Sequence, residues 1–227
     1  MRRLIRATSS VLILSGLLLV ADAGATLLWQ EPVTAVIAMI KRGEVNKQLI
    51  DRPLTLSALD NRALAGITNT SGRIAFYARL YARRAATGQQ IGTIAFPKLN
   101  SSYGVIQGTD TASLESGPGH YPATAFPGVP GDTVAIAGHR TTYLAPFRYL
   151  NEMHAGDLIV VTMPYAKFTY RVERQQIVTP TSLWITANKG YERLVLSACN
   201  PLYSASQRIA VFARLYEQQP MGAAARV

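Results

Sequence analysis

The chain has 227 residues, with 23 lysines and arginines against 13 aspartates and glutamates, and therefore a formal net charge of +10. Hydrophobic residues make up 48% of the chain and charged residues 16%, which excludes a disordered or collagen-like protein and suffices for one domain with additional segments. The single cysteine excludes an internal disulfide and any site built from several cysteines, such as a structural zinc site.

The N-terminal segment predicts a membrane anchor. Three arginines, at positions 2, 3 and 6, precede an apolar segment that runs from Val11 to Trp29. As a helix this segment is just long enough to cross about 30 Å of hydrocarbon, and Trp29 stands where an interfacial anchor would lie. The early arginines favour a cytoplasmic N-terminus, so that the rest of the chain lies outside the cell.

The same segment also fits a cleaved signal peptide. Ala21-Asp22-Ala23 matches the A-x-A cleavage pattern after an apolar core. In both cases the bulk of the chain is exported, where an unpaired cysteine is a free thiol that requires an explanation.

Two segments after the apolar stretch, Val33 to Asp51 and Asp60 to Thr87, are predicted to be helical. In the second, apolar residues recur every three to four positions with several arginines among them, which indicates an amphipathic basic helix. It could lie on an anionic membrane surface or pack on the following domain. Nucleic acid is not an expected partner, because no nucleic-acid-binding signature is present and export removes the usual ligand.

After Gly88, short β-branched runs alternate with Gly, Pro and Asn, which predicts an all-β barrel or sandwich. A connection rich in Gly and Pro, from Asp110 to Gly131, lies between the second and third runs, with one short helix predicted near Thr111 to Ser116. A connection of this length usually carries function. The candidate strands are Ile91–Phe96, Tyr103–Gln107, Thr133–Ala137, Leu158–Met163, Phe168–Val172, Leu194–Ala198 and Ile209–Phe212.

Three residues suited to acyl transfer stand at predicted strand ends. Cys199 ends an apolar run and precedes Asn200, while His139 follows another run and Gly138. If Cys199 ends one strand and Arg208 begins its neighbour, the guanidinium can reach toward the sulfur. A thiol nucleophile needs a partner that handles protons, and acyl transfer needs donors for the developing oxyanion. The three residues together therefore indicate a candidate site.

Each of these residues also has an ordinary structural explanation. A lone cysteine is often a small buried hydrophobe, a loop histidine often bonds to the backbone, and an arginine at a strand edge is often solvated. His120 lies in the Gly- and Pro-rich connection and His154 in a polar stretch, where positions without a catalytic role are the default.

Two longer stretches carry a family resemblance. The first is Gly119-His120-Tyr121-Pro122 followed by Ala137-Gly138-His139-Arg140-Thr141-Thr142-Tyr143, and the second is Leu194-Val195-Leu196-Ser197-Ala198-Cys199-Asn200-Pro201 with Arg208. Together they resemble the signatures of sortases, the cysteine transpeptidases of Gram-positive bacterial surfaces, in the order His, Cys, Arg. The resemblance covers about residues 88 to 215 and is greatest to class E, with class D next.

The resemblance implies a closed sortase-type β-barrel with short helices over residues 88–216. A membrane anchor (1–30) and a helical juxtamembrane region (31–87) would precede it, and a tail (217–227) would follow. It further implies that Cys199 is the attacking thiolate, that His139 protonates the leaving amine and that Arg208 binds the oxyanion or a substrate carbonyl. Residues implied to contact the substrate are Ala198, His120, Tyr143 and Asn200. No metal or cofactor is implied.

The function implied is that of a single-pass membrane enzyme with an extracellular catalytic domain. It would cleave an L-P-x-T-G or L-A-x-T-G type sorting signal of exported proteins after the Thr. The acyl group would pass through a thioester to an amine of a peptidoglycan precursor or to a pilin lysine. Related chemistries fit less well: L,D-transpeptidases keep Cys and Arg nearly adjacent, and papain-like enzymes place Cys before His.

Two positions depart from the family pattern. Sortases usually read T-L-x-T-C before the nucleophile, whereas Val195 and Ala198 stand at the threonine positions here. A hydroxyl beside the cysteine is therefore missing. This keeps open the alternative of a catalytically weak or inactive sortase-fold module that binds surface proteins.

Overall fold

The computed structural model describes residues 2–28, 33, 34, 36, 37, 39, 40 and 54–225. Its longer helices are Arg2–Leu28, Ala58–Ala65, Thr70–Arg84 and Thr111–Ser116. Its strands are β1 (Gln90–Phe96), β2 (Ser101–Gln107), β3 (Gly119–His120), β4 (Thr133–Gly138), β5 (Leu158–Met163), β6 (Ala166–Val178), β7 (Arg193–Asn200) and β8 (Gln207–Pro220). Short 3₁₀ helices are Pro97–Leu99, Leu150–Glu152, Leu183–Thr186 and Gly222–Ala225.

The strands close into one barrel in the order β1-β2-β3-β4-β7-β8-β6-β5, with β5 pairing again with β1. The predicted closed barrel is therefore confirmed, and each of the seven predicted runs lies in a strand. Two differences remain. Strand β3 has only two residues, too few for a sequence pattern. Strands β6 and β8 extend well beyond their apolar runs into segments of mostly exposed side chains, and each of these segments pairs with the apolar run of the other strand.

The prediction of a single helix from Asp60 to Thr87 is wrong. The chain instead forms two helices, Ala58–Ala65 and Thr70–Arg84, separated by a turn. Asn69 starts the second helix, since its side-chain oxygen accepts a hydrogen bond from the backbone N–H of Gly72 at 2.6 Å. This cap satisfies a backbone N–H donor at the N-terminus of the second helix, which favours the start of a separate helix at this position.

Helix Thr70–Arg84 packs against the barrel. Its apolar side chains Ile74, Tyr77 and Leu80 belong to the main hydrophobic core. Of the two placements considered for this amphipathic helix, packing on the following domain is therefore the one observed. At the other end of the chain, β8 runs past the expected domain boundary at 216 to Pro220, and Ala224 beyond it is buried.

Helix Arg2–Leu28 contains one segment, Arg6–Thr26, that is long and apolar enough to cross a membrane. No part of this segment is buried in the protein. A signal sequence has the same character, so both predictions for the N-terminal residues stay predictions. Trp29 and residues 41–51 of the first predicted helical segment lie outside the described residues, and the described positions between 33 and 40 are helical.

Strands β4 and β7 run parallel, with Thr133 opposite Arg193 and Gly138 opposite Ala198. Arg193 is buried at the start of this pair, where its Nε–H donates to the Thr133 hydroxyl at 3.0 Å and Nη2 donates to the carbonyl of Ala187 at 2.7 Å. Because the two strands start in register, their carboxyl ends leave the barrel side by side.

Candidate active site

The three residues predicted to act together lie on three adjacent strands. His139 follows the last residue of β4, and Cys199 follows Ala198, the partner of that residue on β7. On the other side of β7, Cys199 is directly opposite Arg208, the second residue of β8. The prediction that Cys199 ends one strand and Arg208 begins its neighbour is therefore confirmed.

Cys199, His139 and Arg208 line a single cleft of about 290 Å³. The thiol is free and the residue is partly exposed, so a reagent can approach the sulfur. One wall comes from the long connection between β2 and β4. The other lining residues are Thr109, Leu114, Tyr121, Ala137, Gly138, Ser197 and Ala198. Cys199 is therefore not a buried core residue, which was the ordinary structural explanation for a lone cysteine.

The His139 imidazole is partly buried, and this burial lowers its pKa from the ordinary value of 6.5. Its ring centroid lies 5.1 Å from that of Tyr143, and its carbonyl accepts a hydrogen bond from the backbone N–H of Phe147 at 2.9 Å. The surroundings therefore favour the neutral imidazole. Within the described residues, no hydrogen bond joins His139 to the sulfur of Cys199.

Gly138, the last residue of β4, packs tightly against an aromatic ring of the core. A Cβ at this position would lie 2.6 Å from the ring of Phe147, which is itself buried and packed edge-on against Phe96. The ring has little room to move, because protein interiors are close-packed. Any larger side chain must shift the backbone next to His139.

We expect Gly138→Ala to lower turnover by about 10- to 100-fold, because small displacements of a catalytic group are costly. The folded state should survive with a loss of about 1–3 kcal/mol from overpacking. Gly66→Ala is the matched control, since its nearest contact is an ordinary 3.7 Å and its φ is −82°. Steady-state cleavage and thermal unfolding would be measured on both variants. Unchanged turnover in Gly138→Ala would contradict this account of His139 placement.

The Arg208 side chain lies in the cleft but does not bond to the sulfur in this structure. Its Nη1 donates to the backbone carbonyls of Ala205 and Gln207 at 3.0 and 2.9 Å. Both bonds are local, so they hold the guanidinium against its own loop. Its Nε–H and Nη2 groups make no hydrogen bond within the described residues and stay available to a bound group.

A second arginine near the nucleophile, Arg140, was not predicted to have a role. It is buried, and its Nη1 donates to the Cys199 carbonyl at 3.3 Å and to Oδ1 of Asn200 at 3.0 Å. Its Nη2 donates to Oδ1 of Asn151 at 2.7 Å. Burial lowers its pKa, but a guanidinium remains charged. Arg140 thus ties the segment after His139 to the backbone of the nucleophile.

The residues predicted to bind substrate fall in different places. Ala198 lines the cleft. Asn200 lies at its edge, where its side chain accepts from Arg140 and donates to Oε1 of Gln207 at 3.2 Å. The Tyr143 hydroxyl donates to a carboxylate oxygen of Glu115 at 2.9 Å, which links the segment after His139 to helix Thr111–Ser116.

His120, which was expected to contact substrate, lies outside the cleft lining. Its side chain is buried at 1% exposure. Its Nε2–H donates to the carbonyl of Ala125 at 3.0 Å, and Nδ1 lies 2.9 Å from the side-chain amide of Gln107. These contacts anchor the long connection. The neighbouring residue, Tyr121, faces the cleft instead.

Burial lowers the pKa of His120 to about 4. In the unfolded chain a histidine has a pKa of about 6.5, so the unfolded state binds the extra proton between these values. The neutral side chain therefore contributes stability above pH 6.5 that is lost as the pH falls toward 4, on the order of 3 kcal/mol. His139 adds a contribution of the same sign.

We expect His120→Gln to flatten the dependence of unfolding free energy on pH between about 4 and 6.5. Denaturant titrations of the intact chain at several pH values measure this. An equal slope in wild type and His120→Gln would contradict the assignment.

Two further hydroxyl groups in the cleft were missed by the sequence prediction. The hydroxyls of Tyr121 and Ser197 lie 3.0 Å apart. Ser197 precedes Ala198, the position at which sortases usually carry a threonine. The only signal in the sequence was that Tyr121 belongs to the Gly-His-Tyr-Pro stretch. Polar groups are therefore present next to Ala198 although its own side chain has none.

Comparison with known proteins agrees with the resemblance in the sequence. The family described as Sortase domain matches residues 94–216. Sortase D of Bacillus subtilis is 37% identical over 117 residues, which are 51% of this chain and 57% of that protein. Sortase SrtE1 of Streptomyces coelicolor is 30% identical over 148 residues, 59% of this chain and 42% of that protein. The chain thus spans about half the length of these two relatives.

The barrel is also similar to solved structures. Sortase E1 from Streptomyces coelicolor, solved with a tripeptide in its active site, superposes with a TM-score of 0.56 at 27% identity. The superposition covers 60% of this chain and 93% of that one. The match therefore includes nearly the whole of the solved domain.

Proposed function

Since the chain belongs to the sortase family, whose members are cysteine transpeptidases, we propose that it is a membrane-anchored transpeptidase acting on exported proteins. One observation carries the proposal: a single cleft is lined by Cys199, His139 and Arg208, from three adjacent strands. A free thiol, an imidazole and a guanidinium are the groups that thioester chemistry requires.

In the first half-reaction, the Cys199 thiol gives its proton to the neutral His139 imidazole, and the resulting thiolate adds to the carbonyl carbon of the substrate threonine. Arg208 donates hydrogen bonds to the oxyanion that forms, and its fixed planar donors suit this role better than an ammonium group does. The C–N bond to the next residue then breaks, His139 gives its proton to the leaving amine, and a thioester remains on Cys199.

In the second half-reaction, an amine adds to the thioester carbonyl and loses a proton to His139. The C–S bond breaks, and the Cys199 thiolate is regenerated. The acceptor is an amine of a peptidoglycan precursor or a pilin lysine. An exported, membrane-anchored enzyme would encounter both.

The substrate is a sorting signal of the L-P-x-T-G or L-A-x-T-G type at the C-terminal end of an exported protein. The tripeptide bound in the active site of the Streptomyces coelicolor sortase E1 supports a peptide in the corresponding cleft. Ala198, Tyr121 and Ser197 would line the peptide path here. Membrane attachment is supported by the exposed apolar segment Arg6–Thr26.

A catalytically weak or inactive binding module is the second candidate, because of the two missing threonines. Their positions in the structure differ. Val195 is buried in a side cluster outside the cleft, so a hydroxyl there would not reach a substrate. Ala198 lines the cleft, and only this change removes a hydroxyl that a substrate could contact.

A peptide library distinguishes the two candidates. The intact chain in detergent micelles would be incubated with sorting-signal peptides and with amine acceptors, and the products would be identified by mass spectrometry. We expect cleavage after threonine and a new amide bond to the acceptor, and neither in Cys199→Ala. Binding of a peptide without cleavage, at equal affinity in Cys199→Ala, would favour the binding module.

A further inference from the structure

The outer end of the apolar helix lies against the rim of the cleft. The Tyr203 hydroxyl donates to the backbone carbonyl of Thr26 at 2.6 Å. The backbone N–H of Tyr143 donates to the Thr34 hydroxyl at 3.1 Å. Tyr203 belongs to the β7–β8 connection beside Cys199, and Tyr143 to the segment that follows His139.

The position of Thr26 defines a height relative to a bilayer. It is the last residue of the apolar segment Arg6–Thr26. In a helix that crosses the hydrocarbon, this end lies at the boundary with the headgroups. A side chain that contacts the Thr26 carbonyl therefore lies at the same level, within the interfacial layer.

The side chains around this contact have the composition of a membrane interface. We define the rim patch as Arg148, Tyr149, Leu202 and Tyr203. Tyr149, Leu202 and Tyr203 are 50%, 37% and 49% exposed, although two are aromatic and one is aliphatic. Tyrosine is enriched at the headgroup level, since its ring is apolar and its hydroxyl is polar.

Arg148 supplies the cationic part of the rim patch. Its Nη2 donates to the Tyr203 hydroxyl at 3.4 Å. Its Nη1 is buried and has no hydrogen-bond partner within the described residues, while the residue as a whole is partly exposed. Arginine near an interface places its charge among lipid phosphates while its stem lies on apolar surface.

Two other exposed apolar stretches of the barrel lie away from the rim patch. Leu183 and Trp184 are in the 3₁₀ helix before β7, at the end of the barrel opposite to the cleft. Tyr216 is near the far end of β8, about 26 Å along the strand from Arg208. The hydrogen bond to Thr26, at the end of the apolar helix, comes from Tyr203 of the rim patch.

We propose that the rim patch rests on the outer leaflet of a phospholipid bilayer, so that the catalytic cleft opens at the membrane surface. Tyr149, Leu202 and Tyr203 lie among the headgroups, and Arg148 contacts lipid phosphate. The inference rests on the proposed membrane anchoring. It follows that the cleft is at the height of substrates that are themselves still attached to the membrane.

Depth-dependent fluorescence quenching tests this placement. The intact chain with Trp29→Phe and Trp184→Phe has no tryptophan, and single tryptophans are then introduced as Tyr203→Trp, Tyr149→Trp and, as the matched control, Tyr216→Trp. Each protein is reconstituted in vesicles of phosphatidylcholine and phosphatidylglycerol with or without bromine on the acyl chains near the headgroup. A Trp29→Phe protein that keeps Trp184 is a second control.

We expect brominated lipid to quench positions 203 and 149 at least about threefold more than position 216 or Trp184. Equal quenching at all four positions would overturn the inference. So would a blue-shifted but unquenched tryptophan at 203, because that result means that protein, such as a second copy of the chain, covers the rim patch.

Flotation and peptide cleavage in the same vesicles separate this inference from the proposed function. A protein that does not float with vesicles lacks the anchor, and the inference then fails together with the anchoring. A protein that floats and cleaves sorting-signal peptides, but shows no quenching at 203 and 149, keeps the proposed function and overturns only the placement of the rim patch.

Discussion

Replacing Cys199 by alanine is expected to abolish both thioester formation and peptide cleavage. Cys199 is the only cysteine in the chain, so no other thiol can take its place. Its partly exposed position in the cleft allows attack on a bound peptide. Intact-mass spectrometry after incubation with a cleavable peptide would detect the acyl adduct in wild type and none in Cys199→Ala.

The same assay on His139→Ala is expected to show a loss of about 10²- to 10⁴-fold, the usual contribution of a positioned general acid or base. His154→Ala is the matched control, because His154 is exposed and outside the cleft. His120→Ala should lower stability more than it lowers the rate per folded molecule, since its ring is buried and anchors a loop. A fully active His139→Ala would mean that another group moves the proton.

The short β-branched runs predicted an all-β barrel or sandwich, and the family resemblance implied the closed barrel. The prediction of strand ends was less successful where pairing alone defines the strand. Strands β6 and β8 each continue, beside the apolar run of the other, through a segment of mostly exposed side chains, so hydrophobic pattern could not reveal their full length. Strand β3 is held by neighbours on both sides but has too few residues for any period.

Whether a side chain lies in the cleft could be predicted only where its position along a strand determines this. Cys199 and Arg208 face each other because antiparallel pairing places the end of one strand beside the start of the next. His120 and Tyr121 are adjacent in sequence, yet one is buried beneath the connection and the other lines the cleft. Which of two such neighbours faces the cleft depends on the course of the backbone, which the sequence alone does not show.

Arg140 shows a further limit of sequence interpretation. A buried arginine is ordinarily expected to pair with a carboxylate. Here its bonds go to backbone carbonyls and amide oxygens brought together from two separate parts of the chain, residues 148–151 and 199–200. Those acceptors are common to every protein sequence, so no local pattern identifies them before the fold is known.

Replacing Arg208 by lysine keeps the positive charge and is nevertheless expected to lower turnover by about 10²- to 10³-fold, the usual cost of losing an oxyanion donor. In the structure, Nη1 is occupied by the carbonyls of Ala205 and Gln207, which orients the guanidinium and leaves Nε–H and Nη2 for the reacting group. A lysine cannot bond to its loop and present two donors in a fixed plane at the same time.

The rate of alkylation of Cys199 separates this role of Arg208 from a purely electrostatic one. If Arg208 acts on the oxyanion, Arg208→Lys cleaves peptide slowly while a thiol-specific reagent still modifies Cys199 at the wild-type rate, since the thiolate does not depend on directed bonds. If Arg208 only supplies positive charge to the thiolate, lysine should preserve both rates. Measuring both rates on the same preparation decides the matter, and near-normal cleavage by Arg208→Lys would rule out the oxyanion assignment.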